Sequence, residues 1–344
     1  MFLFKFLRRI KLKSSKFNLL ASTSFLTVLA ACGGGGGGAS TSSSSSSATT
    51  FQAVASEGEL ISYSVDTTAL TYSYSIIESA YGKTGVTGSG SLTKNSDGTY
   101  TPTGFNGKVA VLDSGLLLGA IYEDLNNDGT RDVIPVIGVA NPVTSLAEAA
   151  GIYNFISRQC GSLCNNYYGT VKVSTDGTWT SCVGANMAAT NYSCQSSASG
   201  AMTNLASGRA TVTFNGVNGG SMLIFKDAAS GQKVVLLDLN GGTNLGKGAI
   251  FASTQSLPAS ADGTWTYLHT NGTKGAVNVT GTSFTDAGHY ANGTPYSGNG
   301  SFTRDQPWTG FIRTNSGATI MTAGSGLYAA YFYSTGSMSI GVKK

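Results

Sequence analysis

The chain has 344 residues, of which 41% are hydrophobic and only 11% are charged, and its formal net charge is +4. In soluble domains about a quarter of the residues are usually charged. A low charged fraction with abundant Gly, Ser, Thr, Asn and Tyr is typical of exported β-proteins. Six of the 21 basic residues lie in the first 16 positions, and the rest of the chain has 15 basic and 17 acidic residues. A nucleic-acid partner is not expected, because the rest of the chain has no basic excess.

The first 50 residues divide into a basic, an apolar and a flexible segment. Residues 1–18 contain six basic and no acidic side chains, and residues 19–30 are apolar or small. Twelve residues are too few to cross a bilayer as a helix, which needs roughly 20, so the pattern predicts a secretory signal peptide over residues 1–31. The alternative is a buried amino-terminal helix. The glycine- and serine-rich residues 33–50 disfavour it, because they cannot contribute to a core.

The residues Leu29-Ala30-Ala31-Cys32 resemble the lipobox of bacterial lipoproteins. The resemblance implies cleavage before Cys32, a diacylglycerol on its sulfur and an acyl chain on its new amine. Several acyl chains make a firm anchor, because each buried methylene adds about 0.8 kcal/mol. Gly33 stands where an Asp would signal retention in the inner membrane, so the resemblance favours the outer membrane. Residues 32–50 would then be a lipidated cysteine and a flexible tether.

From residue 51 onward, apolar and polar residues alternate with period two between turn sequences. The clearest segments are "LTYSYSII" (70–77), "YGTVKVS" (168–174), "RATVTF" (209–214), "KVVLLDL" (233–239) and "GAVNVTG" (275–281). Such alternation predicts strands with one face in a core, and Asp-Gly or Asn-Gly pairs between them suit hairpin turns. Only residues 145–155 have a briefly helical pattern. We therefore predict an all-β protein made of antiparallel barrel or sandwich modules.

Two sets of internal echoes indicate that these modules repeat. The first is "SDGTYT" (96–101), "TDGTWT" (175–180) and "ADGTWT" (261–266), and the second pairs an apolar strand with a glycine-containing turn and another strand (108–122, 233–251 and 317–333). They predict β units over residues 51–149, 150–255 and 256–344, although glycine-rich β-proteins also give such echoes by chance. The opening of the second unit, "AGIYNF" and "YGTVKV", loosely resembles that of calycin barrels.

The acidic segment "YEDLNNDGTRDVIP" (122–135) is a candidate calcium loop in the first unit. Its oxygen-bearing residues have the spacing that Ca²⁺ prefers; they are Asp124, Asn126, Asp128, Thr130 and Asp132. The pattern resembles the calcium loops of EF-hands, dockerins and integrin-type propellers, but Pro135 replaces the bidentate Glu of an EF-hand. A structural Ca²⁺ ion is one hypothesis. The other is an acidic hairpin turn without metal, partly neutralised by Arg131.

Four cysteines beyond Cys32 lie within 35 residues of each other: Cys160, Cys164, Cys182 and Cys194. An even number on an exported chain predicts two disulfides, with three possible connectivities. A zinc site built from the two pairs is the alternative.

The sequence supports no assignment of catalytic or cofactor-binding residues. His269 and His289 are the two histidines, and no nucleophile elbow, metalloprotease motif or phosphate loop is present. A catalytic triad assembled from distant residues stays open. Trp179, Trp265 and Trp308 allow sugar stacking, but a place in a core is the simpler interpretation for the two in the repeated "DGTW".

These features favour a lipid-anchored, non-enzymatic binding module or adhesin over other functions. The cysteine followed by glycines resembles surface lipoproteins of Gram-negative bacteria, some of which capture host proteins through β-barrel lobes. The resemblance implies an outer-membrane location on the periplasmic or cell-surface side, and a host protein, envelope protein or glycan as partner. The alternatives are an envelope hydrolase with a loop-assembled site and a structural lipoprotein of the envelope or matrix.

Overall fold

The computed structural model describes residues 48–344 apart from 126, 162–163, 243–245, 257–259, 323–325 and 333–336. The predicted signal peptide, Cys32, nearly all of the tether and Asn126 therefore lie outside the described residues. In the described part the chain forms three antiparallel eight-stranded sheets. This confirms the prediction of an all-β protein with repeated barrel modules.

The first sheet joins neighbouring strands in the order β5-β4-β3-β2-β1-β8-β7-β6. Its strands are β1 (Thr49–Ala55), β2 (Glu59–Asp66), β3 (Thr71–Ser79), β4 (Thr87–Lys94), β5 (Tyr100–Pro102), β6 (Ala110–Val111), β7 (Leu116–Glu123) and β8 (Asp132–Val139). A β-bridge between Tyr100 of β5 and Val109, the residue before β6, links the two edges of this sheet, so it curls into a barrel as well.

The second sheet is a closed barrel in which each strand pairs with the next along the chain and β9 pairs with β16. Its strands are β9 (Gly151–Cys160), β10 (Cys164–Val173), β11 (Thr178–Val183), β12 (Ser196–Thr203), β13 (Arg209–Phe214), β14 (Val217–Lys226), β15 (Lys233–Asn240) and β16 (Lys247–Thr254). The predicted helix over 145–155 is only one turn, α1 (Leu146–Ala149), because the residues from Gly151 onward join the barrel as β9.

The third sheet is also a closed barrel of consecutive strands, in which β17 pairs with β24. Its strands are β17 (Gly263–His269), β18 (Lys274–Thr280), β19 (Ser283–His289), β20 (Pro295–Arg304), β21 (Phe311–Thr314), β22 (Thr319–Thr322), β23 (Leu327–Tyr331) and β24 (Met338–Lys343). Closure of this kind leaves no unpaired sheet edge.

Each barrel has an interior core made by the alternate, inward-facing residues along its strands. In β2, for example, Ile61, Tyr63 and Val65 are buried in the interior core of the first barrel. Trp179 lies in the core of the second barrel and Trp265 in that of the third, and both are at most 5% exposed. The repeated "DGTW" tryptophans are therefore core residues.

A further core lies between the barrels and makes them one compact body. Leu116, Leu118 and Ala120 of β7 face this shared core, whereas Leu117 and Ile121 of the same strand face the interior of the first barrel. Buried residues of the second and third barrels, such as Phe251 and Phe311, belong to the same shared core. Strands with both faces buried explain the almost uninterrupted apolar run "LLLGAI" in β7.

The three Asp-Gly-Thr echoes occur at different places in the three barrels. They precede β5, the fifth strand of the first barrel, β11, the third strand of the second, and β17, the first strand of the third. Asp97 and Asp176 each accept a hydrogen bond from the backbone N–H two residues later, at 2.9 Å, whereas Asp262 accepts one from Gly281. The first two echoes form the same turn, the third does not, and the three do not occupy equivalent positions of a repeat.

Candidate functional site

A cleft with a volume of about 660 Å³ lies where residues of all three barrels come together. Its lining includes charged and aromatic side chains of the first barrel, Arg158 and Cys160 of the second and Asn271 of the third; the first barrel contributes Glu57, Phe105, Tyr122 and Arg131. Concave sites between packed modules are common places for ligand binding. We therefore take this three-barrel cleft as the candidate functional site.

One wall of the three-barrel cleft is a largely buried ion pair between the first and second barrels. Arg158 Nε donates to Glu57 Oε1 at 2.9 Å, with exposed side-chain fractions of 15% and 19%. Burial raises the pKa of Glu57, and the Arg158 guanidinium opposes this shift. The second carboxylate oxygen of Glu57 lies 3.5 Å from the sulfur of Cys160. This wall is therefore held in place by the ion pair and by the adjacent Cys160–Cys164 disulfide.

The other wall of the cleft is aromatic and cationic. The rings of Phe105 and Tyr122 stack with their centroids 5.4 Å apart. The guanidinium carbon of Arg131 lies 6.0 Å from the centroid of the Tyr122 ring, within the range of a cation–π contact. Arg131 is exposed, so its charge is available to a ligand in the cleft.

The acidic loop between β7 and β8 borders this wall. Asp124 accepts hydrogen bonds from the backbone N–H groups of Asp128 and Gly129 at 3.1 and 3.0 Å, and Asp128 accepts one from Thr130 at 2.7 Å. Asp132 begins β8 and pairs with Glu123 across the hairpin. Asn126 lies outside the described residues. These contacts order the loop as a turn, and its calcium binding stays a prediction.

Both predicted disulfides are confirmed. They join Cys160 to Cys164 across the β9–β10 turn and Cys182 in β11 to Cys194 in the following loop. Glu57, Cys160 and Cys164 place three potential ligand atoms close together, but sulfurs joined in a disulfide are not thiolates and do not bind zinc in that form. The 160–164 pair lines the cleft, whereas the 182–194 pair does not.

The two histidines lie outside the cleft lining. His269 packs against the rings of Tyr267 and Phe332, at centroid distances of 5.0 and 5.1 Å, and burial lowers its pKa to about 4. His289 ends β19 and is exposed. Among the described residues, the hydrogen bonds found do not join either histidine to a serine or aspartate. The hydrolase alternative stays a prediction.

Trp308 lies at the contact between the second and third barrels. Its indole N–H donates to Asn154 at 2.9 Å, and its ring lies 5.7 Å from that of Tyr168 and 5.2 Å from that of Phe311. The side chain is half-buried and packs against the shared core. These contacts give Trp308 a structural place between two barrels.

The sequence analysis singled out only part of the cleft, the acidic segment 122–135. Glu57 lies in the β1–β2 turn "SEGE", and Arg158 lies near the end of β9, 101 residues later. Nothing in either local pattern distinguishes these residues from solvated surface charges. Tyr122, Arg131 and Asp132 all belong to the acidic segment, so the motif itself pointed to this side of the cleft.

Comparisons with known proteins add no family or function. No family model matches the chain, and no curated protein matches it. Among solved structures, the chain is 7% identical to a DNA polymerase sliding clamp from Pseudomonas aeruginosa, covering 86% of this chain and 91% of that one, with a TM-score of 0.15. It is 8% identical to a DNA polymerase III beta chain from Streptococcus pneumoniae, covering 87% and 92%, with a TM-score of 0.14. Scores this low carry no argument about this protein.

In the described part of the chain, none of the helices combines the length and the hydrophobicity needed to span a bilayer.

Proposed function

We propose that this protein is a lipid-anchored, non-enzymatic binding protein of the outer membrane, and that the three-barrel cleft receives a segment of a partner protein. The observation that carries the proposal is the composition of the cleft, which combines stacked aromatic rings with both signs of charge on a rigid framework. Tyr and Arg are the residue types that most often dominate protein–protein binding energy.

The chemistry of the cleft favours a polypeptide ligand over a uniformly charged one. Arg131 and Arg158 lie near Glu57, Glu123 and Asp132, so a ligand of one sign would meet repulsion on one side. A folded partner that inserts a loop with an apolar or aromatic residue and a carboxylate would use the Tyr122 ring and the Arg131 guanidinium together. Calcium at the acidic loop, proposed from the sequence, would order the neighbouring β7–β8 hairpin.

The anchor is proposed from the lipobox-like residues 29–32 and the glycine- and serine-rich residues that follow. A tether lets a rigid body search the space near the membrane, and the span of a flexible linker grows with the square root of its length. Closed barrels with loops at both ends suit such a role, because loops on a rigid scaffold commonly carry binding residues.

Replacing Tyr122 with alanine should weaken binding to a partner protein by about tenfold or more, since a central aromatic contact contributes roughly 1.4 kcal/mol or more. The measurement is surface plasmon resonance of the full-length protein against a panel of purified serum and extracellular-matrix proteins, in calcium and in EGTA. Tyr192→Ala is the matched control, because Tyr192 is 47% exposed and lies outside the cleft lining. A partner that binds both variants equally well, or a panel without any binder, would contradict the cleft's role.

Replacing Cys32 with serine should move the protein from the membrane fraction to the soluble fraction, because the acyl chains would have no sulfur to attach to. The measurement is fractionation of cells grown with a radioactive fatty acid, followed by mass spectrometry of the mature amino terminus. Ser44→Ala, within the tether, should leave both label and location unchanged. A Cys32→Ser variant that still sediments with membranes would rule out this anchor.

A further inference from the structure

The interior of the third barrel contains a second cavity, with a volume of about 160 Å³. Its walls are mainly aromatic and aliphatic and include Trp265, Val277, Phe284, Phe302, Tyr328 and Phe332. The one ionisable acid in this lining is Asp286 of β19. None of the lining residues belongs to the three-barrel cleft, so this site is independent of the function proposed above.

The register of four strands places Asp286 in this cavity. Trp265, Val277, Asp286 and Gly298 are opposite one another on β17 to β20 and form one row across the sheet. The next row consists of Tyr267, Gly275, Gly288 and Tyr296. Paired residues of neighbouring strands point to the same face, so both rows face the barrel interior.

The two glycines of the second row make room for tyrosine hydroxyls. A Cβ atom at Gly275 would lie 2.6 Å from the Tyr267 hydroxyl, and one at Gly288 would lie 2.8 Å from the Tyr296 hydroxyl. The hydroxyl of Tyr267 donates to Asp286 Oδ1 at 2.6 Å, and that of Tyr296 lies 3.4 Å from the same oxygen. The two hydroxyls also contact each other. The structure thus orients the Asp286 carboxyl through one of its oxygens.

The carboxyl of Asp286 has no cationic partner among the ion pairs of the described residues. Burial raises its pKa to about 6, so it is mostly ionised at neutral pH. A carboxylate in apolar surroundings is costly unless hydrogen bonds or a cation compensate it. The two tyrosines supply hydrogen bonds to Oδ1. Lys343, which pairs with Trp265 on β24, lies 5.6 Å from the Trp265 ring centroid and makes no ion pair with Asp286 in the described structure.

Space for a positively charged group of a ligand lies beside the Asp286 carboxyl. Gly298 is the cross-strand neighbour of Asp286, and a Cβ atom added there would have no other residue's heavy atom within 4 Å. Gly298 is exposed, so solvent reaches the strand position opposite Asp286. An engineered cavity of about 150 Å³ accommodates benzene, which sets the size of ligand that fits.

We propose that the interior of the third barrel binds a small organic ammonium ion, with its charge against Asp286 and its apolar substituents against the surrounding aromatic side chains. An anion would be repelled by the carboxylate, and a neutral apolar molecule would leave the carboxylate uncompensated. A strongly hydrated inorganic cation would gain nothing from the aromatic walls. An ammonium ion with methyl or other apolar groups satisfies both parts of the site, as in aromatic cages for quaternary ammonium ligands.

The test measures binding of choline by calorimetry to the full-length protein in a maltoside detergent. The matched probe is 3,3-dimethylbutan-1-ol, which has nearly the same shape as choline without its charge. At pH 7.5 choline should bind about tenfold or more tightly than this alcohol, because a charged hydrogen-bonding or ionic contact in a partly buried site is worth at least that factor. Equal binding of the two probes, or no binding of choline at millimolar concentration, would overturn the proposal.

Asp286→Asn should abolish the preference for choline over the alcohol, whereas Asp262→Asn, an exposed acid of the same barrel, should preserve it. Gly298→Leu should weaken the binding of both choline and the alcohol, because the new side chain would occupy the space beside the Asp286 carboxyl. Circular dichroism and thermal melting establish that each variant is folded. An Asp286→Asn protein that is folded and still prefers choline would contradict the assignment.

The pH profile gives a second readout. Choline affinity should fall about tenfold between pH 7.5 and pH 5, because only about a tenth of the Asp286 side chains with a pKa of about 6 are ionised at pH 5. Asp286 faces the phenols of Tyr267, Tyr296 and Tyr328, and burial raises the pKa values of Tyr296 and Tyr328 further above this range. His269 packs against Tyr267 and Phe332, and its pKa of about 4 leaves the ring largely neutral between pH 5 and pH 7.5. Lys343, opposite Trp265 on β24, is a cation of the same row. A flat profile would overturn the role of the carboxylate.

The source of the ammonium group is resolved by a parallel titration with dihexanoyl phosphatidylcholine. Binding of choline and the lipid with similar affinity identifies a headgroup as a permitted source. Binding of choline alone restricts the site to free ammonium compounds. Both results support ammonium recognition. If neither ligand binds, the ammonium site is ruled out, and the cleft proposal is unaffected because it concerns other residues.

Discussion

Replacing Glu59 with glutamine should stabilise the protein by about 3 kcal/mol at pH 8.5 and change it little at pH 4.5. Glu59 is fully buried at the start of β2, and burial raises its pKa from 4.5 to about 7. Between about pH 4.5 and pH 7, Glu59 is therefore protonated in the folded state and ionised in the unfolded state. The free energy of unfolding falls as the pH rises through this range. A pKa that differs by about 2.5 between the two states corresponds to about 3 kcal/mol, and a glutamine avoids this cost.

The measurement is urea denaturation of the wild type and variant between pH 4.5 and pH 8.5. Glu148→Gln is the control, because Glu148 is an exposed acid paired with Lys226 at 3.6 Å, and such pairs contribute little. Its stability curve should run parallel to that of the wild type. A Glu59→Gln variant whose difference from the wild type does not grow with pH would show that Glu59 titrates normally.

The physical cause lies in how the first and second barrels meet. Glu59 Oε1 accepts from Ser79 at 3.0 Å, while its other oxygen has no hydrogen-bond partner in the described structure. Asp238 of β15 is 1% exposed, and neither of its oxygens has a partner among the described residues. Burial and the carboxyls of Glu59 and Glu78 raise the pKa of Asp238. The two barrels thus enclose carboxyl groups whose ionised form is disfavoured by burial.

The all-β class could be predicted from the sequence because apolar and polar residues alternate with a period of two along a half-buried strand. The segment "YSYSII" places Tyr72, Tyr74 and Ile76 on one face, and all three are buried in the first barrel. The two disulfides were accessible from cysteine count and the expectation of export. Their pairing was not, because three connectivities satisfy the same count, and only the β9–β10 turn brings Cys160 to Cys164.

The contacts between barrels were not accessible, since they depend on how closed sheets pack. The uninterrupted apolar run in β7 was a local sign that this strand is covered on both sides, but it does not name the covering surface. Asp286 illustrates the reverse case. In "SFTDAGHY" it looks like an ordinary polar residue of a surface strand, and only the register with Val277 and Gly298 places it inside a cavity. The candidate cleft depends on pairs such as Glu57 and Arg158, which no local pattern connects.

Replacing Phe311 with alanine should lower the free energy of unfolding by about 3–5 kcal/mol, the usual cost of truncating a fully buried phenylalanine. Phe311 begins β21, is 0% exposed and belongs to the shared core. Its ring lies 5.8 Å from that of Tyr168 in the second barrel and 5.2 Å from that of Trp308. Urea denaturation measures the loss, and Tyr192→Ala, at an exposed position, should change stability by less than about 0.5 kcal/mol.

The same substitution tests whether the barrels unfold as one unit. Trp179 reports on the interior of the second barrel and Trp265 on that of the third. Two variants follow each barrel by fluorescence, each with Trp308 and one of these two tryptophans replaced by phenylalanine. With Phe311 intact, the two single-tryptophan proteins should give coincident transitions, because a shared apolar core couples the barrels. With Phe311→Ala, the transition at Trp265 should move to lower urea than that at Trp179, since Phe311 belongs to the third barrel. Separate transitions already with Phe311 intact, or a loss below about 1 kcal/mol, would mean that each barrel is stabilised by its own interior alone.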